Sequence, residues 1–232
     1  MKGIKIIFED NHLLVVEKPP NMLSQGDDTG DVDLLDLLKE DLKIRYDKPG
    51  EAFLGLVHRL DRPVGGVMVF GKTSKAASRL SEQIRNGSFK KNYLAVVNGL
   101  PSKATATLEH YLEKDEKNNI VSIVLKDSGK GKIAILDYEL LESSENLSLV
   151  AINLHTGRSH QIRVQFSAIG HPLYGDKKYG IKQNIDIPNL ALWSAGIRLI
   201  HPTLKQEMSF EARPPECYPW SVFRSTGLRG GL

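Results

Sequence analysis

The sequence predicts an α+β fold whose middle is mostly antiparallel sheet. Short runs in which apolar and polar residues alternate recur along the chain, separated by turn-forming residues. Between them lie a few stretches whose apolar residues return at helical spacing. No repeat, low-complexity tract or linker interrupts this pattern. The 232 residues are therefore expected to form one domain over 1–232, with a core from about 4 to 212 and a loose tail at 225–232.

In order, Ile4 to Phe8 and Leu13 to Glu17 read as a hairpin turning at Glu9-Asp10-Asn11-His12, and Lys18-Pro19-Pro20-Asn21 breaks the sheet. Asp31 or Asp33 caps a helix running through Ile44, with Leu34, Leu35, Leu38 and Leu42 on its apolar face. Leu54 to Val57 is apolar, and Val67 to Phe70 is a strand with nothing polar in it. Thr73 or Ser74 caps a second helix, which turns Ala77, Leu80 and Ile84 inward and stops at Asn86-Gly87. Lys91 to Gly99, Thr105 to Glu113, Ile120 to Lys126, Ile133 to Leu141 and Leu147 to Leu154 follow as strands. A third helix starts with Ser159 as its cap and carries Ile162, Phe166 and Ile169 at helical spacing. Leu190 to Ile200 and Glu207 to Ala212 close the fold as a hairpin.

A hydrophobic share of 41% and a charged share of 25% are those of a soluble globular protein, which excludes disorder and fibres. No apolar run approaches the roughly 20 residues of a membrane-spanning helix, and Met1-Lys2-Gly3-Ile4-Lys5 does not open a signal peptide, so a cytoplasmic location is expected. The lone Cys217 excludes an internal disulfide and any multi-cysteine zinc site. A net charge of +3 is too weak to declare a nucleic-acid partner. Local clusters say more: Lys72, Lys75 and Arg79; Arg85, Lys90 and Lys91; Arg158, Arg163, Lys177 and Lys178.

The stretch with most chemistry in it is His58-Arg59-Leu60-Asp61-Arg62, where one acid sits among three potential cations before Pro63, Gly65 and Gly66 force a bend. From the residues alone Asp61 is either a reactive carboxylate, a helix cap, or the partner of Arg59 or Arg62 in a structural ion pair. Tyr93 on its strand is packing or function, and Arg163 is a surface arginine or a functional one. His58 and His160 lack metal-ligand spacing with the acids and brace backbone groups more readily than they hold an ion.

Three motifs in order carry a resemblance. His58-Arg59-Leu60-Asp61-Arg62 with its Gly pair, Lys91-Asn92-Tyr93-Leu94-Ala95-Val96-Val97-Asn98-Gly99, and Leu154-His155-Thr156-Gly157-Arg158-Ser159-His160-Gln161-Ile162-Arg163 followed by Gly170-His171-Pro172-Leu173-Tyr174-Gly175-Asp176 are similar to the motifs of RNA pseudouridine synthases of the large-subunit ribosomal and transfer RNA type. Val15-Val16-Glu17-Lys18-Pro19 resembles that family's opening element, and the match spans about Ile4 to Phe210. The resemblance implies a long, bent, mostly antiparallel mixed sheet with flanking helices and a central cleft. It implies isomerisation of uridine in ribosomal or transfer RNA by Asp61 as nucleophile, with Arg163 pairing the carboxylate and Tyr93 stacking on the target uracil. Arg62 would help displace the flipped base. Arg59, His58, His160, Arg158, Lys72, Lys91 and Lys177 are the further candidates for RNA contact, with Lys75, Lys90 and Lys178 in the same basic clusters. No cofactor and no metal are expected, and the partner is RNA, engaged by a monomer.

This chain departs from the family pattern in places. After the aspartate the family usually has Xaa-Xaa-Thr-Ser-Gly; here Arg62-Pro63-Val64-Gly65-Gly66 lacks the hydroxyls that would pin the loop. Glu17 replaces an Asn, Gln165 stands where a His is common, and the pattern starts too close to Met1 for the small RNA-binding domain that often precedes it. Two other functional classes remain at this point: an RNA-binding or chaperone module without chemistry, and a metal-dependent nuclease built on His58, Asp61 and His160.

Overall fold

The hairpin expected at the start of the chain forms as β1 (Lys5–Glu9) and β2 (Leu13–Lys18), antiparallel, with a bulge between Ile6 and Phe8. The computed structural model describes residues 4–180 and 189–224, so the expected tail at 225–232 lies outside the described residues. The chain divides into two compact units, one of Met1–Lys90 with Ser194–Ala212 and one of Lys91–Trp193 with Arg213–Leu232.

In the first unit the β1–β2 turn is made by Asp10, whose Oδ1 accepts from the His12 and Leu13 amides, both at 2.7 Å. β2 pairs antiparallel with β4 (Gly65–Gly71), running from Leu13 opposite Gly71 to Lys18 opposite Gly66. Every residue of β4 is buried, as its unbroken apolar sequence requires. The two-residue strand β3 (Gly55–Leu56) also pairs β4, and β10 (Leu192–Ile200) with β11 (Glu207–Glu211) is the expected antiparallel closing hairpin.

α1 (Leu34–Arg45) is capped by Asp33, which accepts from the Asp36 amide at 3.0 Å, and it buries Leu34, Leu38 and Leu42. α2 (Ser74–Asn86) is capped by Thr73 and ends at Gly87 in the left-handed region, φ 76°. Of the residues expected to turn inward, Leu80 is fully buried and Ala77 and Ile84 are half-buried, while Ala76 is fully buried beside them. Ala77 in the first turn of α2 faces the sheet, close against Gly55 and Gly71. A Cβ at Gly71 would come within 2.6 Å of the Ala77 amide nitrogen, so only glycine admits that approach.

The second unit is a run of antiparallel strands in the order β5 (Lys90–Asn98), β9 (Leu147–Leu154), β8 (Lys132–Ser144), β6 (Thr105–Asp115), β7 (Ile120–Val124). β7 stops two residues short of the expected Lys126, where a 3-10 turn, Lys126–Ser128, begins. α3 (Gln161–Ala168) packs on this sheet through Val164, against Leu112, Val121 and Ala134, with Tyr179 alongside. Gln165, with no exposed surface, sends Nε2 to the Leu108 and Ala134 carbonyls at 3.0 and 3.2 Å, fastening α3 to β6 and β8. Ser159 does not cap this helix. The N-cap is His160, in the left-handed region at φ 50°, and Gln161 Oε1 instead turns back to accept from the Arg158 amide at 3.0 Å and from Thr156 Oγ1 at 2.8 Å. The mostly antiparallel α+β class expected from sequence is the class observed. Among the described residues no helix is long and apolar enough to cross a membrane.

Candidate active site

Asp61 lies in the first unit on the turn between Leu60 and β4, half-buried, with its carbonyl accepting from the Val64 amide at 2.9 Å. Two buried side chains pin the backbone on either side of it. Ser24 Oγ, 4% exposed, donates to the Leu60 carbonyl at 2.7 Å and accepts from the Leu60 amide at 3.1 Å. Lys18 has no exposed surface; its Nζ donates to the carbonyls of Pro19 at 3.1 Å, Met22 at 2.6 Å and Arg62 at 3.1 Å. The loop whose family hydroxyls are missing is thus held by a hydroxyl and an amine from elsewhere in the chain.

Charge and burial meet at the Lys18 amine. Burial depresses its pKa to about 7, the Asp61 carboxylate working to raise it and the Arg62 guanidinium to lower it. Arg62 itself is exposed and bridges to Asp31 at 2.7 Å, with Nε on the Asn21 carbonyl at 3.3 Å. His58 braces the backbone as expected, Nε2 accepting from the Val69 amide at 3.0 Å, and its ring rests on Phe89. Arg59 points outward as an exposed cation. Lys72, one of the residues offered for phosphate, is brought instead to Glu9 at 2.6 Å and over the Tyr46 ring at 4.7 Å, its side chain 12% exposed.

In the second unit Tyr93 sits on β5 opposite Ile152, 6% exposed. Arg163, the third residue of α3, is 7% exposed and makes a two-point contact with Asp176, Nε to Oδ2 at 2.8 Å and Nη2 to Oδ1 at 2.7 Å. Burial alone would raise the Asp176 carboxyl; the bonds and charge of Arg163, with the Tyr179 and Lys178 amides, outweigh it and hold the group below the usual carboxylate range. The Arg163 guanidinium lies 5.1 Å from the Tyr179 ring centroid. His160 braces this cluster, its Nδ1 meeting the Tyr179 hydroxyl at 2.7 Å.

Arg158 is exposed and lays its Nε on the Ile133 carbonyl at 2.9 Å. Lys91 stands against Gly157, where a Cβ would come within 3.0 Å of Nζ, and burial lowers its pKa. Lys177 and Lys178 are exposed, and Lys178 Nζ donates to the Asn119 carbonyl at 2.6 Å. Among the described residues no group of three or more His, Cys, Asp and Glu is placed to hold a metal ion. The residues that sequence reasoning left without a role are Ser24, Asp176 and Tyr179, while Lys18 was noted only as part of an opening element. A lysine two residues beyond the apolar run Leu13-Leu14-Val15-Val16 and just before Pro19-Pro20 is the signal available.

Comparison with known proteins agrees with the motif reading. Residues 12–168 match the family model of the RNA pseudouridylate synthases. The chain is 34% identical over 224 residues to ribosomal large subunit pseudouridine synthase D of Zymomonas mobilis, covering 92% of this chain and 70% of that one. It is 34% identical over 216 residues to an uncharacterized RNA pseudouridine synthase of Bacillus subtilis, covering 92% and 70%. In fold it is similar to human RNA pseudouridylate synthase domain containing 4, with a TM-score of 0.77 at 23% identity over 91% of this chain and 88% of that one. With the ordered motifs, a family match over more than half its length and these identities, the chain belongs to the RNA pseudouridylate synthases, isomerases that form pseudouridine in RNA.

Proposed function

We propose that Asp61 is the nucleophile of this isomerase and that large-subunit ribosomal RNA is its first candidate substrate, with transfer RNA the second. The observation that supports the acid most is its mounting: a half-buried carboxylate on a closed turn, with Leu60 pinned by Ser24 and Arg62 by the buried Lys18. The choice of RNA follows the name of the Zymomonas mobilis relative.

Forming pseudouridine breaks the bond from N1 to C1′, joins C5 to C1′, releases the C5 proton to solvent and returns a proton to N1. No electrons enter or leave, so the protein has to supply only a nucleophile or base, orientation, and exclusion of water. An ionised Asp61 can attack C6 of the base, attack C1′ of the ribose, or take a ribose proton, and each path needs the carboxylate held still. The resemblance gives Tyr93 the role of stacking on the uracil and assisting the late proton transfer, and gives Arg163 that of keeping the acid ionised. The glycosidic bond is reached only after the nucleotide leaves its stack, a step assigned to Arg62. Arg59, Arg158, Lys91 and Lys177 are proposed to meet phosphates, which makes binding salt-dependent.

Asp61→Asn is expected to abolish tritium release from RNA labelled at uracil C5 while RNA affinity stays within a few-fold of the parent. Appreciable turnover by that variant would refute the nucleophile. RNA binding with no tritium release by the parent, from ribosomal or transfer RNA, would leave a binding module in place of an enzyme. Mapping pseudouridine in both RNA pools with and without the gene decides the substrate.

A further inference from the structure

The second unit contains an apparatus around Arg163 larger than an ion pair needs. Asp176 fixes one edge of the guanidinium, through Nε and Nη2. Tyr179 fixes one face, its ring centroid 5.1 Å from the Arg163 Cζ. Tyr179 is in turn tied down along its whole length. Its amide donates to Asp176 Oδ1 at 3.0 Å and its carbonyl accepts from Ser167 Oγ at 2.8 Å. Its hydroxyl accepts from the Val121 amide at 2.8 Å and meets His160 Nδ1 at 2.7 Å. Asp176 Oδ1 also takes the Lys178 amide at 2.9 Å, so residues 176–179 close on themselves beneath the arginine.

A buried ion pair is weak evidence of stabilisation, because desolvation offsets the attraction. What an edge contact and a face contact add together is orientation: the plane of the guanidinium is set, and the edge bearing Nη1 is turned away from Asp176. We propose that Tyr179 is a positioning residue for the isomerisation, acting through the face of Arg163, with Asp176 fixing the edge. The proposal rests on the reading that Arg163 serves the reaction.

The test is kinetic. Tyr179→Phe keeps the ring and loses the hydroxyl contacts; its melting temperature should fall while kcat stays within about threefold. Tyr179→Leu removes the ring face, and kcat should fall about 10- to 30-fold with KM for RNA within twofold. Should Tyr179→Leu fail to fold, Tyr179→Met fills similar space without a π face and takes its place. The Arg163 Nε–H resonance should persist in the Phe variant and lose its exchange protection in the Leu or Met variant. A folded Leu or Met variant with parental kcat would overturn the proposal, as would a loss confined to KM or a Phe variant that loses as much kcat as Leu. If Arg163→Gln itself keeps parental kcat, the reading beneath the proposal fails; if Arg163→Gln is inactive and Tyr179→Leu unaffected, only the role of Tyr179 fails.

Discussion

The Lys18 ammonium donates to the Arg62 carbonyl at 3.1 Å, which places a fully buried cation one peptide away from Asp61. Three N–H groups of the charged form serve three carbonyls; the neutral amine has two and leaves one carbonyl without a donor. With the folded pKa near 7 and the unfolded value at 10.5, the unfolded chain binds more protons between these limits, so this group makes stability rise with pH across that window. The unfolding free energy of the parent minus that of Lys18→Met should grow in the parent's favour from pH 7 to 10, by at most about 1.4 kcal/mol per pH unit. Equal pH slopes for the two proteins in denaturant titrations would refute the assignment. The same titration withdraws positive charge from beside Asp61, so kcat/KM of the parent should decline above pH 7 in a step that Lys18→Met lacks.

Ser24 holds both polar groups of Leu60, the residue before the acid. Ser24→Ala leaves a buried amide and a buried carbonyl without that partner, at a cost of about 1–3 kcal/mol in stability. A nucleophile shifted by as little as 1 Å can lose about 100-fold in rate, so kcat for tritium release should fall by about 10- to 100-fold while RNA affinity is kept. A Ser24→Ala protein that is destabilised but turns over at the parental rate would show that the turn around Asp61 holds without the hydroxyl.

These two pins explain where sequence reading reached and where it stopped. Asp61 was visible because charge, Pro63 and the Gly pair converge on it within a few residues. Its supports were not, because they are backbone contacts made by side chains 36 and 44 positions away. Elements with local causes were legible: the Asp33 and Thr73 caps, the left-handed Gly87, and the alternation of β8. The errors arose where tertiary contacts overrode a local signal. Ser159 looked like a cap, but Gln161 turned back into that position. The ion pair of Lys72 with Glu9, 63 residues away, likewise has no local signal in the sequence.

Asp176 carries the edge of Arg163, and its folded pKa lies below the ordinary carboxylate value. A lowered carboxyl pKa contributes stability that is present above the unfolded value and is lost as pH falls through the folded one. Asp176→Asn leaves a buried guanidinium without its carboxylate and should cost about 3–5 kcal/mol at pH 7. The gap between parent and variant should begin to narrow below about pH 4, where the unfolded carboxyl takes up its proton, and go on narrowing as pH falls toward the lowered folded value. Urea unfolding at pH 7 and at a series of values below pH 4 follows the narrowing; a gap that does not shrink along the series would mean that the ion pair is not its source.

His58 was among the candidates for RNA contact, and its Nε2 instead accepts the Val69 amide within the first unit. That amide lies in β4, whose residues are all buried, so His58→Leu deprives it of this acceptor and should cost about 1–3 kcal/mol. Because the imidazole acts inward, RNA affinity measured against salt should keep the parental slope. Arg59→Ala, one residue on and exposed, should weaken binding and reduce the slope by about one counterion. If His58→Leu flattens the salt dependence as Arg59→Ala does, the histidine reaches the phosphate backbone and its bond to Val69 is secondary.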